Sequence, residues 1–403
     1  MTRARVAVVC DYPEEGWPSM DLVGEMIFTH LARGHARALD VGLVRPPFRR
    51  RASRLPVVGR GRGAANVDRL LNRFHDYPRV LRRAARRGAF DLYHVTDHSY
   101  AQLVHELPPG RSVVTCHDLD TFRCLLDPLL EPRPWWFRAM ARRTLGGLRK
   151  AAAVACDSAA TRDALLAHAV VPADRLHVVH PGTAPECRPD PDPAADAEAD
   201  RLLGPRGAGG PDLLHVGSNI PRKRVDVLLD VFAGVRRQVP GARLVKVGGR
   251  WPADMDRRAD RLGVSDAVVF LPFLTDRAVL AAVYRRASVV LQPSEAEGFG
   301  LPVAEALACG VPLLASDLAV LREVGGDAPV FRPVGDVAAW VDAALALLDE
   351  SARSAPPWLA RRADGLARAR LHSWTAHADR LAGIYAGVLA RSPRHDPGGE
   401  NSD

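Results

Sequence analysis

The sequence lacks any apolar run long enough to cross a bilayer. The first apolar run of the chain, Val6–Cys10, falls far short of the roughly 20 residues that a spanning helix needs. With 47% hydrophobic and 25% charged residues, the composition is that of a soluble globular protein. We therefore expect a cytoplasmic protein, and peripheral contact with the inner membrane face stays open as an addition.

Cysteines are few and scattered along the chain. None of the six forms a pair at the close spacing of a zinc site, and a chain of 403 residues does not need disulfides to fold. Cys10, Cys116 and Cys156 end apolar runs, which predicts small buried hydrophobic side chains. Cys116 and His117 do not form a nucleophile pair, because neighbours on a strand point to opposite faces.

Acidic residues are scarce in one stretch. From Arg45 to Arg87 there are 14 arginines, against only two acids, Asp68 and Asp76. Such a block could bind an anionic membrane, an anionic acceptor or a nucleic acid. We expect no nucleic acid, because the block lacks the interleaved aromatic residues that stack on bases. A solvated face without a partner remains the alternative.

Apolar runs alternate with amphipathic stretches along most of the chain. This alternation indicates parallel sheets covered on both faces, and a proline-, glycine- and acid-rich stretch interrupts it once. We therefore predict an α/β protein of two Rossmann-like, doubly wound domains. The predicted ranges are 1–188 for the N-terminal domain, 189–211 for a linker, 212–365 for the C-terminal domain, 366–390 for a C-terminal helix and 391–403 for a disordered tail.

The most informative segment follows a predicted buried strand, Ser288–Gln292. Gly298 and Gly300 let the backbone approach a ligand closely, and Pro302 suits the first turn of a helix. The backbone N–H groups and the positive end of that helix would face the carboxyl ends of the strands, where open parallel sheets bind ligands. This arrangement predicts a pyrophosphate site.

Two acids flank this loop, Glu297 and Glu305. Glu305 lies in the first helical turn, where its carboxylate can accept hydrogen bonds from two ribose hydroxyls. Glu297 lies on the loop, where it can contact a sugar ring. Both could instead be ordinary helix-start charges. The full string after a strand favours a sugar nucleotide.

The string Glu297–Glu305 resembles the Glu-x7-Glu motif of the retaining glycosyltransferases of family 4. The resemblance extends to Leu214–Leu229, Asp276–Tyr284 and Trp374–Tyr385, and covers roughly residues 1–390. It implies the GT-B fold, in which two Rossmann-like domains face each other across a cleft. The donor would bind mainly to the C-terminal domain and the acceptor to the N-terminal domain, to which the C-terminal helix crosses back.

The resemblance implies roles on the donor side. Glu305 would bind the ribose, Glu297 would contact the transferred sugar, and Lys223 would neutralise the diphosphate. Many relatives have arginine where this chain has Ser218, so Arg222 is the expected substitute for the second cation. Further donor contacts are implied for Gly217, Gly248, Gly298, Phe299, Gly300 and Leu301.

Acceptor-side residues are implied less directly. His117 follows a predicted strand and resembles the family's cleft histidine, so we count it with Glu297 and Lys223 as catalytic. Asp97 and His98 also follow a strand and could hold the acceptor, although a structural role for the histidines is an equal alternative. In the first loop we assign Gly16 and Trp17 to the acceptor, and a core position for Trp17 is the alternative.

The chain also carries Asp118-Leu-Asp120, which matches the metal-binding Asp-x-Asp of another glycosyltransferase fold. We reject that interpretation, because relatives with two Rossmann-like domains generally need no bound metal. We expect no metal and no cofactor, with a nucleotide-diphosphate sugar as the donor substrate.

The expected reaction is transfer of a sugar to an acceptor hydroxyl with retention. Cell-surface polysaccharide, glycolipid and natural-product biosynthesis are all open as its setting. One alternative is a sugar-nucleotide epimerase or a phosphorylase of the same fold. Another is a membrane- or nucleic-acid-binding protein that uses the basic block and has a degenerate sugar site.

Overall fold

The chain forms two α/β units, each with its own parallel sheet. The computed structural model describes residues 3–54, 62–204 and 210–391. Unit 1 comprises Met1–His180 with Trp374–Asp403, and unit 2 comprises Pro181–Ser373. In the described residues each unit contains one six-stranded sheet in which all paired strands are parallel. The predicted fold class, two doubly wound α/β domains, is confirmed.

Unit 1 has the strand order β2-β1-β3-β4-β5-β6. Along β1, Val6 and Val8 pack into one hydrophobic cluster, while Ala7 and Val9 pack into another on the opposite face. Such strands are buried on both faces because helices cover both sides of the sheet. The strands are β1 (Ala4–Val9), β2 (Leu39–Val44), β3 (Leu92–Val95), β4 (Ser112–Cys116), β5 (Ala153–Cys156) and β6 (Leu176–Val178). The helices are α1 (Pro18–Gly34), α2 (Arg62–Leu71), α3 (Tyr77–Arg86), α4 (Arg123–Leu126), α5 (Trp135–Lys150) and α6 (Ala159–Ala167), joined by α15 (Trp374–Arg391).

Unit 2 has the strand order β12-β11-β10-β7-β8-β9. Its core is built around Phe232 and Trp340, both fully or almost fully buried. The strands are β7 (Asp212–Val216), β8 (Arg243–Val247), β9 (Val268–Leu271), β10 (Val289–Gln292), β11 (Leu313–Ser316) and β12 (Val330–Arg332). The helices are α7 (Pro193–Leu203), α8 (Val225–Gln238), α9 (Ala253–Leu262), α10 (Arg277–Arg286), α11 (Leu301–Ala308), α12 (Ala319–Gly325), α13 (Val337–Ala352) and α14 (Pro356–Ala369).

The segment 189–211, predicted as a linker, contains a helix instead. The Asp192 side chain caps α7 by accepting a hydrogen bond from the Ala195 N–H at 3.2 Å. An aspartate followed by proline is a strong helix start, which the bulk composition of the segment concealed. Arg286 donates to Asp200 at 2.6 Å and so ties α10 to α7. The segment is therefore part of unit 2, and residues 205–209 lie outside the described part.

The C-terminal helix α15 belongs to unit 1. It begins at Trp374, later than the predicted residue 366, and packs against α1. Tyr385 lies on its buried face, where its hydroxyl group and His94 Nδ1 are 2.6 Å apart. The predicted tail, except for residue 391, lies outside the described residues.

The structure also bears on the state of the cysteines and on the presence of membrane-spanning helices. All six cysteines are buried and free of disulfides, which confirms the burial predicted for Cys10, Cys116 and Cys156. Among the helices of the described ranges, none is both long and apolar enough to span a membrane.

Candidate active site

The loop after β10 and the start of α11 have the predicted strand–loop–helix form. Gly300 has φ +96°, a conformation that favours glycine, and a Cβ there would lie 2.6 Å from Leu321 Cδ2, so the buried Leu321 side chain would have to shift. Pro302 lies in the first turn of α11, and Phe299 is buried with its ring edge-on to His372 at 5.3 Å between centroids. The start of α11 is therefore fixed by packing as well as by the glycine.

Glu297 is held by three hydrogen bonds. Lys223 Nζ donates to its two oxygens at 2.7 and 2.9 Å, and Gln292 Nε2 donates at 2.7 Å. Burial alone would raise the pKa of this carboxyl group, but Lys223 and Ser294 hold it below its ordinary value. Glu297 is therefore a buried carboxylate at neutral pH, and its negative charge is balanced by Lys223.

Glu305 is also buried but has a different partner. The hydroxyl group of Tyr284 donates to Glu305 Oε2 at 2.9 Å. Burial raises the pKa of the Glu305 carboxyl above its ordinary value, and burial beside Glu305 raises that of Tyr284 as well. Tyr284 on α10 therefore stays protonated, and its hydrogen bond orients Glu305, the carboxyl group that is predicted to bind the ribose.

The basic loop after β7 is tied to the loop after β10. Pro221–Lys223 forms one 3-10 turn, which brings Lys223 to Glu297. The Arg222 carbonyl accepts a hydrogen bond from the Glu295 N–H at 2.8 Å, and Arg224 pairs with Asp226 at 2.9 Å. The two loops form one surface at the carboxyl ends of neighbouring strands, with Arg222 partly buried beside Lys223.

Two glycine turns touch each other at the ends of β7 and β8. Gly248 has φ +108°, and a Cβ there would lie 2.3 Å from the Gly217 carbonyl oxygen. The Gly217 N–H donates to the Val247 carbonyl at 3.1 Å. Gly217 and Gly248 were predicted to let the backbone approach the donor closely. The contact that the structure shows is between the two loops themselves.

Two buried residues of this region were missed in the sequence. Lys246 Nζ donates to the Gly217 and Val247 carbonyls, and its side chain is fully buried. His215 Nδ1 lies 3.0 Å from the Leu291 carbonyl, while its Nε2 has no hydrogen-bond partner among the described residues. Burial and Lys246 lower the pKa of His215 to about 3, so this ring is neutral. Their position within otherwise apolar strands was the sequence signal that could have identified both residues.

In unit 1, His117 follows β4 and uses both ring nitrogens. Nδ1 lies 2.6 Å from Asp157 Oδ2, and Nε2 lies 2.9 Å from the Thr96 carbonyl. Burial opposes the charged form, but Asp157 and Asp97 outweigh it and raise the pKa of His117 to about 9. His117 is therefore an imidazolium whose two N–H groups donate to the protein.

Asp97 and His98 lie beside His117 and are also engaged. The Asp97 carboxylate accepts from the Ser99 N–H at 2.6 Å and from its hydroxyl group at 2.7 Å. His98 Nδ1 accepts from the His117 backbone N–H at 3.2 Å. These contacts show the structural role that was the alternative, and the acceptor-binding role stays a prediction.

Asp11, directly beyond β1, was not identified from the sequence. It is buried, and neither carboxyl oxygen accepts a hydrogen bond from a described residue. Burial and the neighbouring Asp97 raise the pKa of Asp11 well above its ordinary value. Asp11 is therefore a neutral acid at the end of the sheet where the polar residues of unit 1 lie.

The first loop of unit 1 presents an exposed aromatic side chain. Gly16 has φ +74° and ends a short 3-10 turn, Pro13–Glu15. Trp17 follows it and is 47% exposed, which rules out the alternative of a core position.

Asp118 belongs to the Asp-x-Asp motif that was rejected as a metal site, and its side chain accepts a hydrogen bond from the Asp120 N–H at 3.0 Å. Within the described ranges no three His, Cys, Asp or Glu residues are grouped to hold a metal ion.

Two protein-family models match this chain. The model described as Glycosyltransferase Family 4 matches residues 24–186, and the model described as Glycosyl transferases group 1 matches residues 210–350. The second match contains the whole Glu297–Glu305 string. The chain belongs to the family 4 glycosyltransferases.

Curated relatives of this family 4 chain include two D-inositol 3-phosphate glycosyltransferases. The one from Segniliparus rotundus is 37% identical over 43% of this chain and 39% of its own length. The one from Mycolicibacterium smegmatis is 35% identical over 44% of this chain and 42% of its own length. This chain spans about half the length of the curated relatives it matches.

Solved structures show the same fold at lower identity. Sucrose-phosphate synthase from Thermosynechococcus elongatus has a TM-score of 0.73 at 21% identity, covering 97% of this family 4 chain and 100% of the other. Anabaena HepE in complex with UDP-glucose has a TM-score of 0.69 at 16% identity, covering 96% and 100%. These similarities establish the GT-B fold for the family 4 chain.

Proposed function

We propose that this protein transfers a sugar from a nucleotide-diphosphate sugar to an acceptor hydroxyl, with retention of the anomeric configuration. The observation that carries the proposal is the buried Lys223–Glu297 pair beside the start of α11. It joins a cation suited to a phosphate and a carboxylate suited to a sugar. Family membership and a structural neighbour solved with UDP-glucose support this proposal.

The donor-side chemistry follows from charge. Departure of a nucleoside diphosphate develops negative charge on a phosphate oxygen, which fixed cations and helix N–H groups stabilise. Lys223 and Arg222 would supply the cations, and the backbone from Gly298 to Leu301 would supply N–H groups. The Glu297 carboxylate would favour an oxocarbenium-like transition state.

The acceptor side is proposed in outline. In this proposal the acceptor hydroxyl attacks from the face that the phosphate leaves, so no protein nucleophile is needed. His117 contributes its positive charge, because both of its N–H groups already donate to Asp157 and to Thr96. Gly16, Trp17, Asp97 and His98 form the proposed acceptor surface, on which Trp17 offers an exposed ring.

The proposal is tested by following nucleoside diphosphate release from a panel of nucleotide sugars. D-inositol 3-phosphate is the first acceptor to try, because the curated relatives are named for it. Polysaccharide, glycolipid and natural-product acceptors follow. We expect release that depends on an acceptor. An epimerase would convert the donor without an acceptor, and a phosphorylase would require inorganic phosphate.

The donor site is tested separately by Glu305→Ala and Lys223→Ala. The control is Arg236→Ala, which removes a surface ion pair with Asp266 in the same unit. We expect the control to retain activity while both site variants lose it. Full activity in both folded site variants would refute the site.

We also propose peripheral contact of unit 1 with an anionic membrane. On α2 and α3, Val67 and Val80 are exposed among arginines. The loop before α5 adds Leu129, which is 95% exposed, and α5 itself begins with Trp135, which is 80% exposed. Exposed apolar side chains beside basic ones suit a membrane interface. Part of the basic block is paired internally, as Arg51 is with Asp76 at 2.7 Å, and residues 55–61 lie outside the described ranges.

Co-sedimentation with vesicles tests this contact. We expect binding to phosphatidylglycerol vesicles that weakens with salt, little binding to phosphatidylcholine, and loss of binding in Trp135→Ser/Leu129→Ser. Equal binding of that variant and the unchanged protein would refute a role for the Leu129 and Trp135 side chains. Salt-sensitive binding to nucleic acid, with no response to nucleotide sugars, would instead favour the degenerate binding protein.

A further inference from the structure

A lysine is buried near the end of β8, the strand next to the edge strand β9 of unit 2. Lys246 lies in β8, in the otherwise apolar run Leu244–Val247, and its exposed fraction is 0%. Its Nζ donates to the Gly217 carbonyl at 2.6 Å and to the Val247 carbonyl at 3.0 Å. In the part of the chain that the structure describes, no carboxylate pairs with it. An ammonium group buried without a counter-ion is costly, so this position calls for an explanation.

The groups around Lys246 do not balance its charge. The charged group that acts on it most is another cation, Lys223, whose own charge is matched by Glu297. His215 is neutral. Burial and the repulsion from Lys223 lower the pKa of Lys246 to about 8. The ammonium is thus held in a region of excess positive charge, which an anion would relieve.

The position of Lys246 relates it to the proposed donor loops. Its Nζ binds the carbonyl of Gly217, the first residue of the loop that continues through Ser218 to Lys223. Gly248 approaches the same carbonyl group, since a Cβ there would lie 2.3 Å from the Gly217 oxygen and 3.5 Å from Lys246 Nζ. Ser218 occupies the place where the family resemblance implies an arginine. In this chain a cation, Lys246, contacts that loop directly, through the carbonyl of Gly217.

We propose that Lys246 is a positioning residue of the donor site, which orders the Gly217 loop and supplies, from beneath it, positive charge that the donor's diphosphate neutralises. This inference rests on the proposed function, because it assumes a nucleoside diphosphate group at this loop. Lys246 acts through the loop and through its field, without touching the donor. In a low-dielectric interior such a field extends well beyond contact distance.

Two variants separate the charge of Lys246 from its hydrogen bonds. Lys246→Met keeps the length and removes both the charge and the donors, and Lys246→Gln keeps an N–H donor without the charge. The probes are UDP, GDP and ADP, each compared with its uncharged nucleoside by calorimetric titration. We expect both variants to lose about tenfold in affinity for the diphosphate that the unchanged protein binds, a loss of about 1.4 kcal/mol. Nucleoside affinity should stay within about twofold, a change of about 0.4 kcal/mol.

A second readout needs no variant and shows the proton itself. An anion near Lys246 raises its pKa, so diphosphate binding near pH 8.5 should take up a proton. Titrations in buffers of different ionisation enthalpy measure this uptake. We expect it in the unchanged protein, and its disappearance in Lys246→Met and Lys246→Gln.

The outcomes distinguish this inference from the proposed function. If the unchanged protein binds none of the three diphosphates, the proposed function fails, and this inference with it. If it binds one and both variants bind it equally well, only the role of Lys246 fails. Full recovery in Lys246→Gln, or equal losses for diphosphate and nucleoside, would show a purely structural lysine and overturn the role of its charge.

Discussion

Each of the two units has its own six-stranded parallel sheet, but the carboxyl ends of the strands carry different charged groups in the two units. In unit 2, Lys223 pairs with the Glu297 carboxylate, Arg222 also acts on that carboxylate, and the buried Lys246 adds a further cation nearby. In unit 1 the same edge carries Asp11 and Asp97 beside a charged His117. The comparison indicates that unit 2 suits an anionic ligand, whereas the polar groups of unit 1 mainly satisfy one another.

The largest effect should come from breaking the central pair of unit 2. Lys223→Ala removes the cation from the leaving phosphate and takes from the buried Glu297 carboxylate the ion-pair partner that lowers its pKa most. We expect kcat/KM to fall by about a hundredfold or more, as for other preorganised electrostatic groups. Steady-state kinetics with a saturating acceptor measure it, with Arg236→Ala as the matched surface control. A loss below threefold would mean that the pair does not serve the donor.

The glycine contact of unit 2 offers a second, smaller effect. Gly248→Ala forces a side chain to φ +108° and 2.3 Å from the Gly217 carbonyl. The backbone strain alone costs about 1–3 kcal/mol of unfolding free energy, and the clash adds to it. The matched control is Gly249→Ala, which has φ +85° but nothing within 4 Å of the new Cβ. Thermal unfolding should separate the two variants, and identical melting temperatures would contradict the importance of the contact.

The charge of His117 in unit 1 predicts a pH dependence of stability. Its folded pKa of about 9 lies above its unfolded pKa, so the native state holds a proton that the unfolded state releases. The stabilisation is complete below the unfolded pKa of about 6.5 and is lost as pH rises through 9. The slope should reach at most about 1.4 kcal/mol per pH unit. Urea unfolding at pH 6, 7.5 and 9 measures it.

The corresponding control for unit 1 is His117→Asn. This variant should be less stable than the unchanged protein at pH 6, because Asp157 and Asp97 lose the positive charge between them. Its stability should not fall in the same way between pH 6.5 and 9. An equal pH slope in both proteins would show that another group is responsible.

The smallest effect on stability is expected for the exposed ring of unit 1. Trp17→Ala removes a side chain that is 47% exposed, so the unfolding free energy should change by less than about 0.5 kcal/mol. If Trp17 stacks on the acceptor, the KM for the acceptor should rise several-fold while the KM for the donor stays constant. A change confined to the donor KM would place Trp17 on the wrong side of the reaction.

Much of unit 2 could be predicted because its backbone imposes local requirements. Gly300, with φ +96°, indicates a turn by its residue type, and Pro302 indicates the start of a helix in the same way. The helix α7 carried an equally local signal in Asp192-Pro193, which the acidic, proline-rich composition obscured. The position of Lys246 inside an apolar strand was a local signal, but one of its two partners, the Gly217 carbonyl, lies in the loop after another strand, β7.

The polar edge of unit 1 could not be predicted in the same way. Asp11 and Asp97 are 86 positions apart in sequence and become neighbours only because β1 pairs with β3. The charge of His117 depends on Asp157, which follows the adjacent strand β5. Such couplings come from the strand order, and no residue of the sequence announces them by itself.

The central claim is that unit 2 binds a nucleotide sugar through the Lys223–Glu297 pair. Calorimetric titration of the unchanged protein, Lys223→Ala and Arg236→Ala with a panel of nucleotide sugars tests it most directly. The claim predicts that one nucleotide sugar binds the unchanged protein and Arg236→Ala equally well, and binds folded Lys223→Ala at least about tenfold more weakly, a difference of about 1.4 kcal/mol. Equal binding to all three proteins, or no binding of any nucleotide sugar to the unchanged protein, would contradict it.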